Sequence, residues 1–426
     1  MRYILTFFAL FTVFFCCAQK DDFHTGSVDF SGNKKTKSVY LQRFIATESG
    51  AEYSEETTRQ DVRRLKNLFA VANVAVQRDT VGRRIDLTYQ ITEALTLFPL
   101  LSFGTVTGNV WYQIGFTDVN FRGTGNQITA FYRNNDKRHN GAFYYRVPYW
   151  GRSKFGSTVS FLRWASIEPT YFPEGEVIYD YAFTSFGASG IYEFAIDHNI
   201  EFGANYFVED YEKLAEQPLQ NPPGPDRLTL PKFLFKTNHR LAKLNYHFFY
   251  LDGWDNNIIL ENVYNIRDGG WFHVIKNDFR YFKRIGERGN FGLRARFGLS
   301  SNVNTPFAPF VLDSQTNIRG AGNRRDRGTG VVLLNTEYRH AFLDPGRGKF
   351  KNFAIQGVAF TDIGNWRSPG GNATEFFQKD EARFFAGGGI RLIYKKAYNA
   401  VLRVDYGFDL FRKGERGWVI GAGQYF

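Results

Sequence analysis

The residue types that most often carry out chemistry are sparse in this sequence and form no recognised catalytic or metal-binding pattern. The chain has two cysteines, Cys16 and Cys17, and seven histidines that are scattered along it. It has no G-x-S-x-G nucleophile motif, no H-E-x-x-H zinc motif and no cysteine cluster. We therefore expect a protein that is not an enzyme and that uses no cofactor and no metal.

The two cysteines belong to the start of the chain. Between the charged residues Arg2 and Lys20 lies an apolar stretch that ends at Cys16-Cys17-Ala18. A charged start, an apolar centre and small residues before a cut are typical of a signal peptide, predicted here as residues 1–18. The stretch is shorter than the ~20 residues of a spanning helix. Cleavage after Ala18 removes both thiols; the alternative is a lipoprotein acylated on one of them.

The composition of the remaining chain favours a β-barrel over helical membrane spans. Mean hydropathy is −0.35, and no later segment is apolar for long enough to form a spanning helix. Aromatic residues nevertheless make up 18% of the chain, and glycine is abundant at 42 residues. This suits a barrel with an apolar outer band and aromatic girdles. A secreted β-sandwich or β-helix is the alternative. We assign no specific role to the net charge of +11, and the predicted export argues against a nucleic-acid partner.

The chain changes character near Glu93. Residues 24–94 read as strand, two helices and two strands, with the second helix beginning at Ser54 and the last strands at 71–77 and 85–91. We expect a small α+β domain of β-α-α-β-β order in this segment.

Residues 95–426 alternate between apolar and polar side chains in many runs, for example 291–299 and 402–410. Sixteen such runs fit, at roughly 21 residues for each strand and its connection, which suits ~10-residue tilted spans with loops. The sequence thus predicts a mainly β fold: a 16-stranded antiparallel transmembrane β-barrel preceded by one small α+β domain. An even strand count returns the chain to the side of that domain.

Several motifs resemble those of the BamA/TamA-like superfamily of outer-membrane barrels, also called bacterial surface antigens. The runs that carry the resemblance in the barrel are Asp118–Gly125 (DVNFRGTG), Asn317–Gly320 (NIRG) and Phe360–Trp366 (FTDIGNW). The β-α-α-β-β segment is similar to a single POTRA domain, through runs such as Val28–Asn33 (VDFSGN) and Leu87–Glu93 (LTYQITE). The resemblance implies a location in the bacterial outer membrane, with the POTRA domain in the periplasm.

The resemblance also implies a loop-anchoring motif at Ile318-Arg319-Gly320, in a long loop at about 302–329 between strands eleven and twelve. This loop is expected to fold back into the barrel, where Arg319 would meet the wall acids Glu337 and Asp362. The pattern of the sequence agrees with this expectation, because both acids lie on the polar faces of their strands. One planar guanidinium can hold two carboxylates. The alternative is that Arg319 is an ordinary exposed loop arginine.

The family's working edge is the seam between the first and last barrel strands, here expected between 106–114 and 417–426. Glycines weaken strand packing, so such a seam could open and pair with a strand of another protein. A tightly closed seam is an equal alternative. The predicted seam residues are Val106, Ile114, Gly417, Gly421, Gly423 and Phe426.

These features predict a role in outer-membrane protein assembly or insertion, or in protein translocation across the outer membrane. Client or partner proteins would add a strand to the POTRA edge at Val71, Val74 and Val76 and then reach the seam. Members of this family usually carry several POTRA domains, so a single one suggests an accessory or specialised role. The alternatives are a passive pore or an outer-membrane lipid hydrolase. The expected partners are outer-membrane lipids and client proteins; the sequence leaves the oligomeric state open.

Overall fold

The structure is a computed structural model that describes residues 23–106, 109–135, 138–247, 250–305, 307–312, 317–321, 326–344, 348–378, 382–396, 400–412 and 414–426. The predicted signal peptide lies outside these residues. Within them, no helix has the length and the apolar character that crossing a membrane requires.

The N-terminal domain has the β-α-α-β-β order that the sequence predicts. Its three-stranded sheet has the order β1-β3-β2, in which β3 runs parallel to β1 and antiparallel to β2. Its elements are β1 (His24–Ser31), α1 (Ser38–Leu41) followed by a 3₁₀ turn (Gln42–Phe44), α2 (Glu55–Lys66), β2 (Val71–Val81) and β3 (Arg84–Glu93).

Helix α2 illustrates how local sequence shapes this domain. Ser54 caps the helix, since its hydroxyl accepts a hydrogen bond from the Thr57 amide at 3.2 Å. Acidic residues occupy the first turn and basic residues the last, as the helix dipole favours. The helix packs Leu65 into an apolar core with Leu41, Val74 and other buried side chains of the sheet.

The barrel contains sixteen antiparallel strands, which confirms the predicted fold class. The first of them is interrupted and consists of β4 (Leu97–Pro99) and β5 (Ser102–Val106), which both pair with β6 (Asn109–Phe121). The next strands are β7 (Asn126–Asn135), β8 (Arg138–Val147), β9 (Phe155–Phe172), β10 (Gly175–Ala195), β11 (His198–Lys213), β12 (Arg227–His247), β13 (Tyr250–Asn265), β14 (Gly270–Ile285) and β15 (Gly289–Ser300).

Residues 301–329 connect β15 to the next barrel strand, and we call the described part of this segment (301–305, 307–312, 317–321 and 326–329) the lumenal loop. It carries a short hairpin of β16 (Phe310–Leu312) and β17 (Asp326–Gly328). The loop lies between the eleventh and twelfth barrel strands, as predicted. The barrel is completed by β18 (Gly330–Leu343), β19 (Phe353–Arg367), β20 (Arg383–Tyr394), β21 (Val401–Asp409) and β22 (Arg416–Ala422).

The sheet order returns from β22 to β4, so the sheet curves round into a barrel. Neighbouring strands are joined by antiparallel register from β5 through β22, with shifts at a few bulges. Among the described residues, no such register joins β22 to β4 or β5. The seam of the barrel wall lies between these strands.

Alternating side chains give the barrel two chemically different faces. On β14, Trp271, Ile275 and Tyr281 point outward and are exposed, whereas Lys276 and Asp278 point inward and form ion pairs. This is the pattern expected when one face meets lipid and the other lines a polar lumen.

Candidate functional site

Arg319 lies at the centre of a buried charge cluster inside the barrel. Its Nη2 donates to Asp362 Oδ1 at 2.8 Å and its Nε donates to Asp362 Oδ2 at 2.9 Å. Its Nη1 donates to Glu337 Oε2 at 2.5 Å. All three side chains are completely removed from solvent. The lumenal loop is thus held to β18 and β19 by charge-assisted hydrogen bonds, which are stronger than neutral ones.

Two aromatic rings enclose the same guanidinium. The Arg319 Cζ lies 3.7 Å from the centroid of Phe360 and 4.2 Å from that of Tyr425. Both distances are within the range of cation–π attraction. Next to the arginine, Ile318 packs against Val331 and other apolar side chains of the wall. Arg319 is therefore held on its edge by carboxylates and on its faces by rings.

Further buried ion pairs extend the cluster along the wall. Glu337 also accepts a hydrogen bond from Arg339. Arg391 donates to Asp405 through Nη1 at 2.6 Å and Nη2 at 3.1 Å. Removing one partner of such a buried pair leaves an uncompensated charge, so these pairs are expected to break at high cost.

Glycines on the wall let the lumenal loop come this close. A Cβ at Gly407 would lie 2.3 Å from the Arg319 carbonyl oxygen, and one at Gly364 would lie 2.6 Å from Ile318 Cδ1. Gly320 itself has a φ of +95° and lies against the Gly407 backbone. We call Gly364, Gly407 and Gly417 the glycine wall. Of these, only Gly417 was among the predicted site residues, where it was assigned to the seam.

The structure places the predicted seam residues on three different strands, β5, β6 and β22, and in the residues after β22. Gly417 and Gly421 lie on β22, but both face the lumen: a Cβ at Gly417 would lie 3.2 Å from the Gly320 carbonyl oxygen, and one at Gly421 would meet the Arg403 guanidinium. Val106 ends β5, on the first barrel strand, and only its backbone is described. Ile114 lies on β6, the second barrel strand, where it points outward and is 58% exposed.

The end of the sequence is not part of the last strand, which corrects the expectation for Phe426. Strand β22 ends at Ala422, and Gly423, with a φ of +81°, turns the chain inward. We call residues 423–426 the tail. Phe426 packs against Phe282 and Leu244 inside the barrel, and its carbonyl oxygen accepts a hydrogen bond from Arg339 Nη2 at 2.9 Å.

The predicted POTRA edge residues lie on β2, which is an edge strand of its sheet. The side chains of Val71 and Val74 are buried in the domain core, and Val76 packs against it. Among the described residues, β2 pairs only with β3. The valine side chains thus hold β2 against the domain core, and the backbone groups on its outer edge are available for pairing with another strand.

Contacts with β6, with β12 and with Tyr149, in the turn between β8 and β9, join the N-terminal domain to one end of the barrel. At β6, Lys35 Nζ lies 2.9 Å from Asp118 Oδ2, and Asn120 Nδ2 donates to Thr36 Oγ1 at 2.9 Å. At β12, the Asn67 side chain imitates a peptide group. Its Nδ2 donates to the Leu244 carbonyl at 2.9 Å, and its Oδ1 accepts from the Tyr246 amide at 3.2 Å.

Glu93 supports the first of these contacts from within the domain. Burial alone would raise the pKa of this carboxyl, but hydrogen bonds from the Thr36 side chain and backbone and from the Lys35 backbone outweigh burial and lower the pKa. Glu93 is therefore held as a carboxylate that orders the segment facing Asp118.

A cavity of about 450 Å³ lies where the domain, the barrel mouth and the tail meet. The start of the edge strand contributes Ala72 and Asn73, the barrel contributes Arg294, and the tail contributes Tyr425 and Phe426. No sequence motif marks this cavity, because its lining comes from segments that are distant in the chain.

These features define a class of protein: a sixteen-strand outer-membrane-type barrel, with an arginine loop inside it and one small α+β domain before it. Comparison with known families gives the same result. The POTRA family (surface antigen variable number repeat) matches residues 23–94, and the Omp85 superfamily domain matches residues 120–426. Because the second match spans well over half of the chain, the protein belongs to the Omp85 superfamily. The predicted resemblance to this group of barrels is confirmed.

Solved structures show the same fold at low sequence identity. BamA from Haemophilus ducreyi lacking POTRA domains 1–3 is 15% identical, with a TM-score of 0.55 over 94% of this chain and 83% of that one. CdiB from Acinetobacter baumannii is 14% identical, with a TM-score of 0.55 over 94% and 73%. CdiB from Escherichia coli is 11% identical, with a TM-score of 0.60 over 94% and 75%. At these identities the likeness concerns the fold.

Proposed function

We propose that this protein inserts proteins into the bacterial outer membrane or translocates them across it, as an accessory or specialised member of its superfamily. The POTRA domain would lie in the periplasm and receive extended client segments. The main observation that supports this proposal is the position of the β2 edge. That edge begins at the cavity in the barrel mouth, beside the tail that follows β22.

Strand addition provides the binding mode. An exposed sheet edge offers unpaired backbone groups to any extended segment, so affinity does not depend on one client sequence. A segment paired along β2 toward Val71 would point at the cavity and reach the C-terminal end of β22. The seam between β22 and the first strand is then the nearest point at which a client strand could enter the wall.

The lumen provides a second line of support. The lumenal loop and the tail both lie on the inner wall, where they are held by Arg319 and Arg339. We infer a barrel that is occupied at rest. A client would pass either by displacing these segments or through the seam.

Site-specific photo-crosslinking tests the client-binding edge. A photoreactive residue at Ala75, which is exposed on β2, should capture periplasmic proteins in living cells. The same residue at Asp29, exposed on the opposite edge strand β1, is the matched control. Equal capture at both positions, or capture at neither, would contradict the proposal.

Deletion of the gene separates the two transport roles. A broad loss of outer-membrane barrels in the deletion strain indicates assembly, whereas loss of one secreted or surface protein indicates dedicated secretion. Conductance of the purified full chain in planar bilayers tests the passive-pore alternative. A large and steady current would favour a pore, and a small flickering current would favour an occupied barrel.

A further inference from the structure

The aromatic residues of β13 and β14 mark the depth of the membrane on that part of the barrel. Trp254 and Tyr281 are register partners near the periplasmic end, and Tyr264 and Trp271 are partners near the other end. Ten residues separate the two levels on each strand. At ~3.3 Å per residue and a tilt of about 40°, this spans roughly 25 Å, the height of the apolar band of such barrels.

Polar side chains point outward between these two levels. Asn256 and Asn277 alternate with Asp255 and Asp278, which point inward and pair with lumenal cations. His239 on β12 is likewise outward, since its neighbour Arg240 pairs with Asp255 inside. We call His198, His239, Asn256 and Asn277 the polar row. Polar side chains facing hydrocarbon are costly and are an indication of function.

Contacts within the polar row satisfy only part of its hydrogen-bonding capacity. Asn277 Nδ2 donates to Asn256 Oδ1 at 2.7 Å, and the Nε2 atoms of His198 and His239 lie 3.1 Å apart. The Asn256 amide nitrogen and the Asn277 amide oxygen have no protein partner among the described residues. In hydrocarbon, where water is absent, one unpaired donor and one unpaired acceptor remain side by side.

A donor beside an acceptor is complementary to its own copy rotated by a two-fold axis. The amides are neutral, so two copies would meet without charge repulsion. Exposed apolar side chains flank the row, including Phe235, Leu260 and Ile275. Hydrogen bonds between polar residues, surrounded by close apolar packing, are what holds spanning segments together in lipid.

The position of the polar row on the barrel also favours a second copy of this chain as its partner. The row lies on strands seven to ten of sixteen, whereas the seam lies between strands sixteen and one. It is therefore on the side of the barrel opposite the seam. Two copies joined through this face would leave both seams facing lipid.

We propose that the outward face of β11 to β14 is an intramembrane interface through which two copies of this chain associate. A two-fold pairing places each Asn256 amide nitrogen against the Asn277 oxygen of the other copy. The inference rests on the proposed location in the outer membrane, but not on the proposed transport activity.

Cysteine crosslinking in lipid tests the interface. Outside the predicted signal peptide the chain has no cysteine, so single cysteines can be introduced cleanly. Ile258 is the register partner of both His239 and Asn277 and lies at the centre of the row. In dilute proteoliposomes of the purified full chain, Ile258→Cys should form covalent dimers with a short bis-maleimide. Leu402→Cys, exposed on β21 near the seam, should remain monomeric.

Removing the amides should then weaken the association. In the Ile258→Cys chain, Asn256→Leu with Asn277→Leu should lower the dimer yield by about tenfold. This is the effect expected when two hydrogen bonds between polar side chains are lost in lipid. The control is Thr336→Val with Thr361→Val. These threonines form another outward polar pair, at 2.6 Å, on β18 and β19. That variant should dimerise like its parent.

Three outcomes would overturn the inference. Ile258→Cys could crosslink no better than Leu402→Cys, the amide variant could dimerise as well as its parent, or both double variants could lose the dimer equally. If the double variants fail to fold, the comparison of Ile258→Cys with Leu402→Cys still tests the interface. A chain that does not enter lipid at all would instead contradict the proposed membrane location.

Discussion

Ion pairs line both halves of the barrel interior. Among the described residues of the barrel, both partners are fully buried only on the wall that the lumenal loop and the tail cover. On the loop side, Arg319 and Asp362 are fully buried at 2.8 Å. On the far side, between β13 and β14, Lys276 and Glu261 lie at the same distance, yet 39% and 16% of their side chains are exposed. The pairs are chemically alike. The difference arises because the loop and the tail cover one wall and leave the other to the lumen.

Burial changes what an ion pair does. A solvated pair loses little when one partner is replaced, because water takes over its role. A buried pair cannot be rescued by water, so it fixes the position of whatever carries it. The loop-side pairs therefore act as an anchor, and the far-side pairs mainly neutralise charge on a wet surface.

The largest expected effect is on the anchor. Asp362→Ala should destabilise the folded barrel by about 3–5 kcal/mol, because it leaves the Arg319 guanidinium buried without its main partner. Thermal unfolding followed by heat-modified electrophoretic migration measures this. The double charge swap, Arg319→Glu with Asp362→Arg, should restore part of the loss. If Arg319→Glu and Asp362→Arg each leave the stability unchanged, and the double variant gains none, the ion pair does not anchor the loop.

A steric change should have an intermediate effect on the same wall. Gly407→Ala places a Cβ against the Arg319 carbonyl oxygen, and overpacking of this kind costs about 1–3 kcal/mol. The loop should lift, so single-channel conductance should rise and protease access to the loop should increase. Gly190→Ala is the matched control, since a Cβ there meets nothing within 4 Å. An unchanged conductance in Gly407→Ala would mean that the loop does not close the lumen.

The smallest effect is expected on the far wall. Glu261→Gln removes the charge that faces Lys276 while keeping the shape of the side chain. Because the pair is partly solvated, the change in unfolding free energy should be only about 0–1 kcal/mol. The same electrophoretic assay measures it. A loss as large as that of Asp362→Ala would abolish the distinction between the two walls.

The sequence was most informative where pattern and local chemistry coincide. Strand alternation predicted sixteen strands, and the cap at Ser54 predicted where α2 begins. The family motif supplied Arg319, Glu337 and Asp362, which the structure brings within hydrogen-bonding distance. Each of these depends on a few neighbouring residues.

The remaining features depend on contacts between distant segments. Gly407 has no distinctive neighbours in the chain, and its role appears only once the loop backbone lies against it. The alternation of Trp418 to Phe426 resembles a strand to its end, but Gly423 turns the last residues into the lumen. Ile114 was assigned to the seam because the break between β4 and β5 hides the first strand.

The attachment of the POTRA domain has a mechanical consequence. It is fixed to β6 through Lys35 and Thr36 and to β12 through Asn67, and these strands are six apart around the rim. Tyr149, between these strands, also contacts the domain. A ring held along one arc keeps its shape there and changes shape along the free arc. The domain thus stiffens the rim from β6 to β12. Any widening of the barrel falls on the remaining arc, which contains the glycine wall, the anchored loop and the seam.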